Sequence, residues 1–134
     1  MLFTIHADGP VPIYEQIVTQ VIYAIAAGDL PAETLIPSVR ELAEKLLVHP
    51  NTVARAFQEL EREGIVTARR GVGMEVTVTA PAACQARRRE LVRERIRQAL
   101  HEAAGSALAP EDIRRLVEEE LASVKVTRRT KGKG

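Results

Sequence analysis

Residues 49–64, HPNTVARAFQELEREG, decide the fold. From Val53 onward apolar groups recur at helical spacing (Val53, Ala56, Phe57, Leu60), so one face of a helix turns toward a core. The first turn instead offers Pro50, Asn51 and Thr52, with Arg55 one turn on. Proline suits the first helical position, where an N–H would have no partner, and Gly64 suits the stop. The spacing therefore predicts a helix that buries its middle and exposes a polar start.

Working outward toward the N-terminus, SVRELAEKL places Ser38 three residues before Glu41, the spacing of a capping box. It then sets Val39, Leu42, Ala43 and Leu46 at i, i+3, i+4 and i+7. Only Leu47, Val48 and His49 separate this short helix from the next. Further back, residues 12–27 begin with Pro12, align Ile13, Ile17, Val21 and Ile25 or Ala24, and stop at Gly28. Three helices are predicted between residues 12 and 64.

Past Gly64 the period changes. IVTARRGVGMEVTVT reads as a strand, a glycine-containing turn and a second strand in which Val76 and Val78 alternate with Thr77 and Thr79, a hairpin with a basic tip. APAAC reads as a linker, followed by two helical patterns. One runs through Val92, Ile96, Ala99, Leu100 and Ala103, the other from Pro110 through Ile113, Leu116, Val117, Leu121 and Val124. The basic, acid-free last ten residues, KVTRRTKGKG, are expected to be disordered. The fold class expected is mainly α with a small β-hairpin wing: a winged helix-turn-helix over residues 1–79, then a two-helix dimerisation region over 80–134.

The 134 residues, 46% of them hydrophobic, suffice for one modest core with a small appendage. One cysteine, Cys84, excludes an internal disulfide, and His6, His49 and His101 are too scattered for recognised metal spacing. No apolar run reaches the roughly 18 residues that span a bilayer, and the N-terminus lacks a signal-peptide pattern. A cytoplasmic protein with no membrane partner, metal or cofactor is expected. Nothing groups a nucleophile with a base and its orienting group, and GVG is followed by no helix that would make it a phosphate loop, so an enzyme is not expected. Residues 1–79 hold six Lys+Arg against ten Asp+Glu, and residues 80–134 thirteen against eight. Any polyanion contact in the first part must therefore use a local patch.

Two short helices joined by a tight turn, the second with a polar start, form a helix-turn-helix pattern. Base edges in the major groove require hydrogen-bonding groups: Asn reads adenine, Arg binds guanine through two N–H groups, and Thr bonds a base or touches a thymine methyl. Asn51, Thr52 and Arg55 have that chemistry and share a helix face opposite Val53, Phe57 and Leu60. An exposed polar first turn is ordinary by itself. Its neighbours give it weight: Ser38 and Arg40 open the preceding helix, where N–H groups and a cation can hold phosphate, and Arg69 and Arg70 precede the hairpin tip. Double-stranded DNA is thus the expected partner.

PIYEQI, IPSVRELAEKL, HPNTVARAFQELEREGIV and RRGVG, in that order, resemble the winged-helix domain of GntR-type transcriptional regulators over about residues 10–78. The short two-helix remainder is similar to the YtrA-like subfamily. That resemblance implies a homodimeric repressor, often of an ABC-type transporter operon, with Ser38, Arg40, Asn51, Thr52, Arg55, Arg69, Arg70, Gly71 and Gly73 facing DNA. Larger relatives carry a metabolite-binding or aminotransferase-like domain where this chain has residues 80–134. Family members commonly have Gly near position 33, a basic residue at 35, Leu at 36 and Asn at 49, where this chain has Glu33, Leu35, Ile36 and His49. His49 is open to two readings, a phosphate contact when protonated or a neutral structural residue near a turn.

The interleaved Arg and Glu of RRRELVRERIRQ read as a solvated helix face more readily than as a nucleic-acid surface. Val92, Ile96 and Leu100 on one helix and Ile113, Leu116 and Leu121 on the other are expected to pair with each other and with a second copy, making the homodimer. A winged helix that docks a protein partner, or a fragment of an enzyme, are rival readings. Operator, regulated genes and small-molecule effector are not specified by the sequence.

Overall fold

A computed structural model describes residues 4–124. Helix α1 (Ile13–Ala26) starts after Pro12, and its side with Ile17, Val21, Ile22 and Ile25 is buried. Two glutamines on α1 tie down the preceding segment. Gln16 accepts from the His6 N–H at 2.8 Å and donates to the His6 carbonyl at 2.9 Å, while Gln20 accepts from the Thr4 N–H at 2.8 Å. The amides take the place that a neighbouring strand would fill.

Helix α2 (Val39–Leu46) opens on the capping box: the Glu41 N–H donates to Ser38 Oγ at 3.1 Å, and the Ser38 N–H donates to Glu41 Oε1 at 2.9 Å. It ends on Leu47, which takes the left-handed conformation at φ 58°. Helix α3 (Pro50–Arg62) follows and buries Val53, Ala56, Phe57 and Leu60. Both α1 and α2 pack on α3, so α3 is the centre of the three-helix core. Gly64, at φ 77°, turns the chain out of α3, where a Cβ would be strained.

Strands β1 (Val66–Arg69) and β2 (Gly73–Val76) are antiparallel, with Val66 opposite Val76 and Arg69 opposite Gly73. Residues 33–36 line the free edge of β2: the Val76 N–H donates to Thr34 O at 2.9 Å and the Ile36 N–H to Met74 O at 3.0 Å. The hairpin is therefore anchored at its base on both sides of β2. Val78 does not continue the strand. The Thr77 hydroxyl donates to Gly64 O at 2.7 Å, and the chain then turns, leaving Val78 exposed.

Helix α4 (Ala80–Gly105) begins where the sequence pattern suggests a linker. Alanine is the strongest helix former and Pro81 falls in the first turn, where proline is tolerated, so APAAC is helical. Ala80 and Cys84 are fully buried. Burial pushes the Cys84 thiol up to about 11, with the nearby Glu63 charge acting in the same direction and Arg87 against it. Arg87 in turn meets Glu63 at 3.2 Å. The chain divides into two compact units, Met1–Arg88 and Arg89–Gly134, so the first turns of α4 belong with the winged helix.

In the second unit, α5 (Pro110–Ser123) starts with Pro110 and carries Glu111 and Asp112 in its first turn, where the helix dipole favours acids. The apolar stripes on α4 and α5, expected from their spacing to pair with each other and with a second copy, stay largely open within one chain. Val92, Ile96, Leu100, Leu116 and Leu121 stand 40–65% exposed, with Ile113 half-buried. A helical pair with no third layer above it has no second surface to bury both stripes. The tail from 125 onward lies outside the described residues.

Candidate nucleic-acid interface

The start of α3 is built by its cap. His49 occupies the position before Pro50, and its Nδ1 accepts from the Asn51 N–H at 3.0 Å. The imidazole thereby satisfies a helix donor as an Asn side chain would.

Beyond the cap, Asn51 and Arg55 are exposed and Thr52 is half-buried, while Val53, Ala56 and Phe57 on the opposite side are sealed in the core. The packing of α1 and α2 on that buried side fixes which way the polar turn faces. Arg55 has one partner that the sequence does not signal: its guanidinium carbon lies 3.9 Å from the centroid of the Tyr14 ring on α1.

At the start of α2, Ser38 and Arg40 are exposed, and Arg40 makes no ion pair among the described residues. The capping box changes what Ser38 can offer. Its N–H is already committed to Glu41, which leaves the hydroxyl proton as its donor.

The two wing arginines differ. Arg69 ends β1, and its Nη1 meets Glu75 Oε1 on β2 at 2.7 Å, so its charge is balanced within the hairpin. Arg70 lies in the turn, exposed and without an ion pair among the described residues. The turn closes with the Val72 N–H donating to Arg69 O at 2.8 Å. Gly71 at its apex holds φ 74°, a conformation that favours glycine, with open space around it. Gly73 begins β2 at φ 140°, facing Leu35.

Three positions that depart from the family pattern have local explanations. Glu33 sits at φ 69°, the left-handed region where glycine is the unstrained residue. Leu35 places an apolar side chain, half exposed, beside the wing base instead of a cation. His49 replaces the Asn cap. Among the described residues no cluster of His, Cys, Asp or Glu could hold a metal ion, and no helix is long and apolar enough to cross a membrane.

Residues 13–76, which include α1, α2, α3 and the hairpin, match the family described as bacterial regulatory proteins, gntR family. The chain is 34% identical over 114 residues to the HTH-type transcriptional repressor YtrA of Bacillus subtilis (strain 168), spanning 85% of this chain and 88% of that protein. The chain belongs to the GntR family. Among solved structures it is similar to a GntR family transcriptional regulator from Listeria monocytogenes, with a TM-score of 0.69 at 31% identity, over 84% of this chain and 97% of that one. It is also similar to YtrA from Sulfolobus acidocaldarius, a GntR-family transcription factor, with a TM-score of 0.56 at 32% identity, over 75% and 99% of the two chains. This GntR-family chain is thus a transcriptional regulator with a winged helix-turn-helix domain, and its family and relatives are regulators, not enzymes.

Proposed function

We propose that this regulator is a cytoplasmic homodimeric repressor that binds a palindromic operator in double-stranded DNA. The observation that carries the reading is the exposed polar first turn of α3 set on a fully buried apolar back. In the major groove, Asn51, Thr52 and Arg55 read base edges. Ser38 and Arg40 hold backbone phosphate, and the wing, with Arg69, Arg70, Gly71 and Gly73, lies along the adjacent backbone.

Residues 1–79 then form the DNA-binding domain and 80–134 the dimerisation region, with the buried Ala80 and Cys84 of α4 completing the former's core. The exposed stripes of Val92, Ile96 and Leu100 on α4 and Ile113, Leu116 and Leu121 on α5 are the surface a second copy covers. Two reading heads held together engage half-sites about one helical turn apart, and the second contact gains from high effective concentration. An ABC-type transporter operon is a candidate target through the YtrA-like resemblance.

Arg55→Ala tests the base-reading role. It should weaken binding to an operator duplex by about 1–3 kcal/mol while leaving random DNA little affected. Equal losses on both duplexes would reduce Arg55 to a phosphate contact. A protein-docking winged helix is separated by salt: DNA binding weakens steeply as salt rises, through counterion release, and an apolar protein contact does not.

A further inference from the structure

We infer that Tyr14, on α1 and outside the helix-turn-helix, is a positioning residue of the reading head: its ring holds Arg55 in the orientation used on DNA. The inference rests on the proposed DNA reading, and the observation behind it is the 3.9 Å approach of the Arg55 guanidinium carbon to the Tyr14 ring centroid.

A long arginine side chain on an exposed helix face samples many rotamers, and fixing it on a base edge loses that freedom. Proteins usually restrain such a group with a carboxylate, as Glu75 restrains Arg69 in the wing at 2.7 Å. A carboxylate occupies N–H donors and cancels the charge that DNA would meet. Arg55 has no carboxylate within ion-pair distance among the described residues. An aromatic face restrains the guanidinium through its π cloud, leaving the charge uncancelled and the N–H donors available for a guanine edge.

The ring is itself well placed to restrain. Tyr14 is half-buried in the first turn of α1, its hydroxyl donates to Glu15 Oε2 at 3.2 Å, and α1 packs directly on α3. The ring is thus carried on a helix that is fixed against the one bearing Arg55. The contact also explains how α1, which bears none of the base-reading groups, bears on specificity: it supplies the surface against which the arginine is set before DNA arrives.

The test uses the full chain and begins with a duplex that the unaltered protein enriches from a random-sequence pool. Affinity for that duplex relative to a scrambled duplex of equal length is then measured for Tyr14→Leu, Tyr14→Phe, Arg55→Ala and the Tyr14→Leu/Arg55→Ala pair. Tyr14→Leu is expected to lower the ratio about 2- to 5-fold, the factor that corresponds to an exposed cation–π contact. Tyr14→Phe, which keeps the ring, should retain most of the ratio, and Tyr14→Leu should have no further effect once Arg55 is Ala. A ratio unmoved by Tyr14→Leu, or an equal loss in the Arg55→Ala background, overturns the role of Tyr14 and leaves DNA reading standing. A protein that enriches no duplex overturns the DNA reading and this inference with it. Nuclear magnetic resonance of the free, unaltered chain adds a measurement independent of whether Tyr14→Leu folds. The Arg55 side-chain protons should lie upfield of those of Arg40 and Arg70 through the ring current, and coincident shifts overturn the inference.

Discussion

In the first compact unit Ile17, Ile22, Val53, Leu60 and Val76 are sealed from solvent, whereas beyond Arg89 most large apolar side chains of α4 and α5 stand 40–65% exposed, with Leu91 and Ile113 half-buried. The first region closes its core from its own elements: three helices, a hairpin and the start of α4. The second has the apolar content of an interface without a covering layer of its own. The contrast separates a part whose core closes within one chain from a part whose apolar faces one chain leaves largely open.

A cut between the two regions should have the largest effect. A chain ending at Arg88 should remain folded and become monomeric, and it should lose operator affinity by about two or more orders of magnitude while keeping weak non-specific binding. Sedimentation and gel-shift titration check both halves of that expectation. Cutting earlier, after Thr79, removes Ala80 and Cys84 from the core and should also lower the melting temperature.

Single substitutions should follow the same divide. Leu60→Ala, at a fully buried site, should cost about 2–5 kcal/mol in chemical denaturation. Ile96→Ser, on the exposed stripe, should change the stability of the winged helix by about 0.5 kcal/mol or less but shift sedimentation toward monomer. If Ile96→Ser destabilises the winged helix as strongly as Leu60→Ala, the two regions are not independent.

Within the wing, Arg70→Ala should lower the log–log salt slope of DNA binding by about one, because one fewer phosphate is neutralised and its counterion is no longer released. Arg69→Ala should lower it less, because Glu75 already balances that charge. Equal changes would show that the Arg69–Glu75 pair opens on DNA.

One further effect is confined to alkaline solution. The Cys84 thiol is held up at about 11 in the folded chain against an ordinary value of 9.0, so the folded state keeps a proton that the unfolded state releases. The contribution is fully present below pH 9.0 and is lost as pH rises toward about 11, a decline that Cys84→Ala should remove from the stability profile.

Much of the first unit is legible in the sequence, because its signals are local. The Ser38 and Glu41 capping box, the apolar stripe of α3 and the glycine after it depend on residues a few positions apart. The end of β2 is less so: alternation continues through Val78, but Thr77 has already turned the chain. In APAAC the proline suggests a break, yet the alanines around it carry the helix through. Arg69–Glu75 is available from the hairpin register, whereas Tyr14–Arg55 joins helices far apart in sequence and leaves no local pattern. The stripes of α4 and α5 are visible as apolar faces, but periodicity does not say whether the covering surface is the neighbouring helix or another chain.

The exposed start of α3 is proposed to read base sequence as one of a symmetric pair. Selection of duplexes from a random-sequence pool by the full chain tests it most directly. An inverted repeat with half-sites about one helical turn, roughly 10 bp, apart should be enriched, with the preferred bases redistributed when Arg55 is changed to Ala. Enrichment of no sequence, or of a single unrepeated site that Arg55→Ala leaves unchanged, would contradict it.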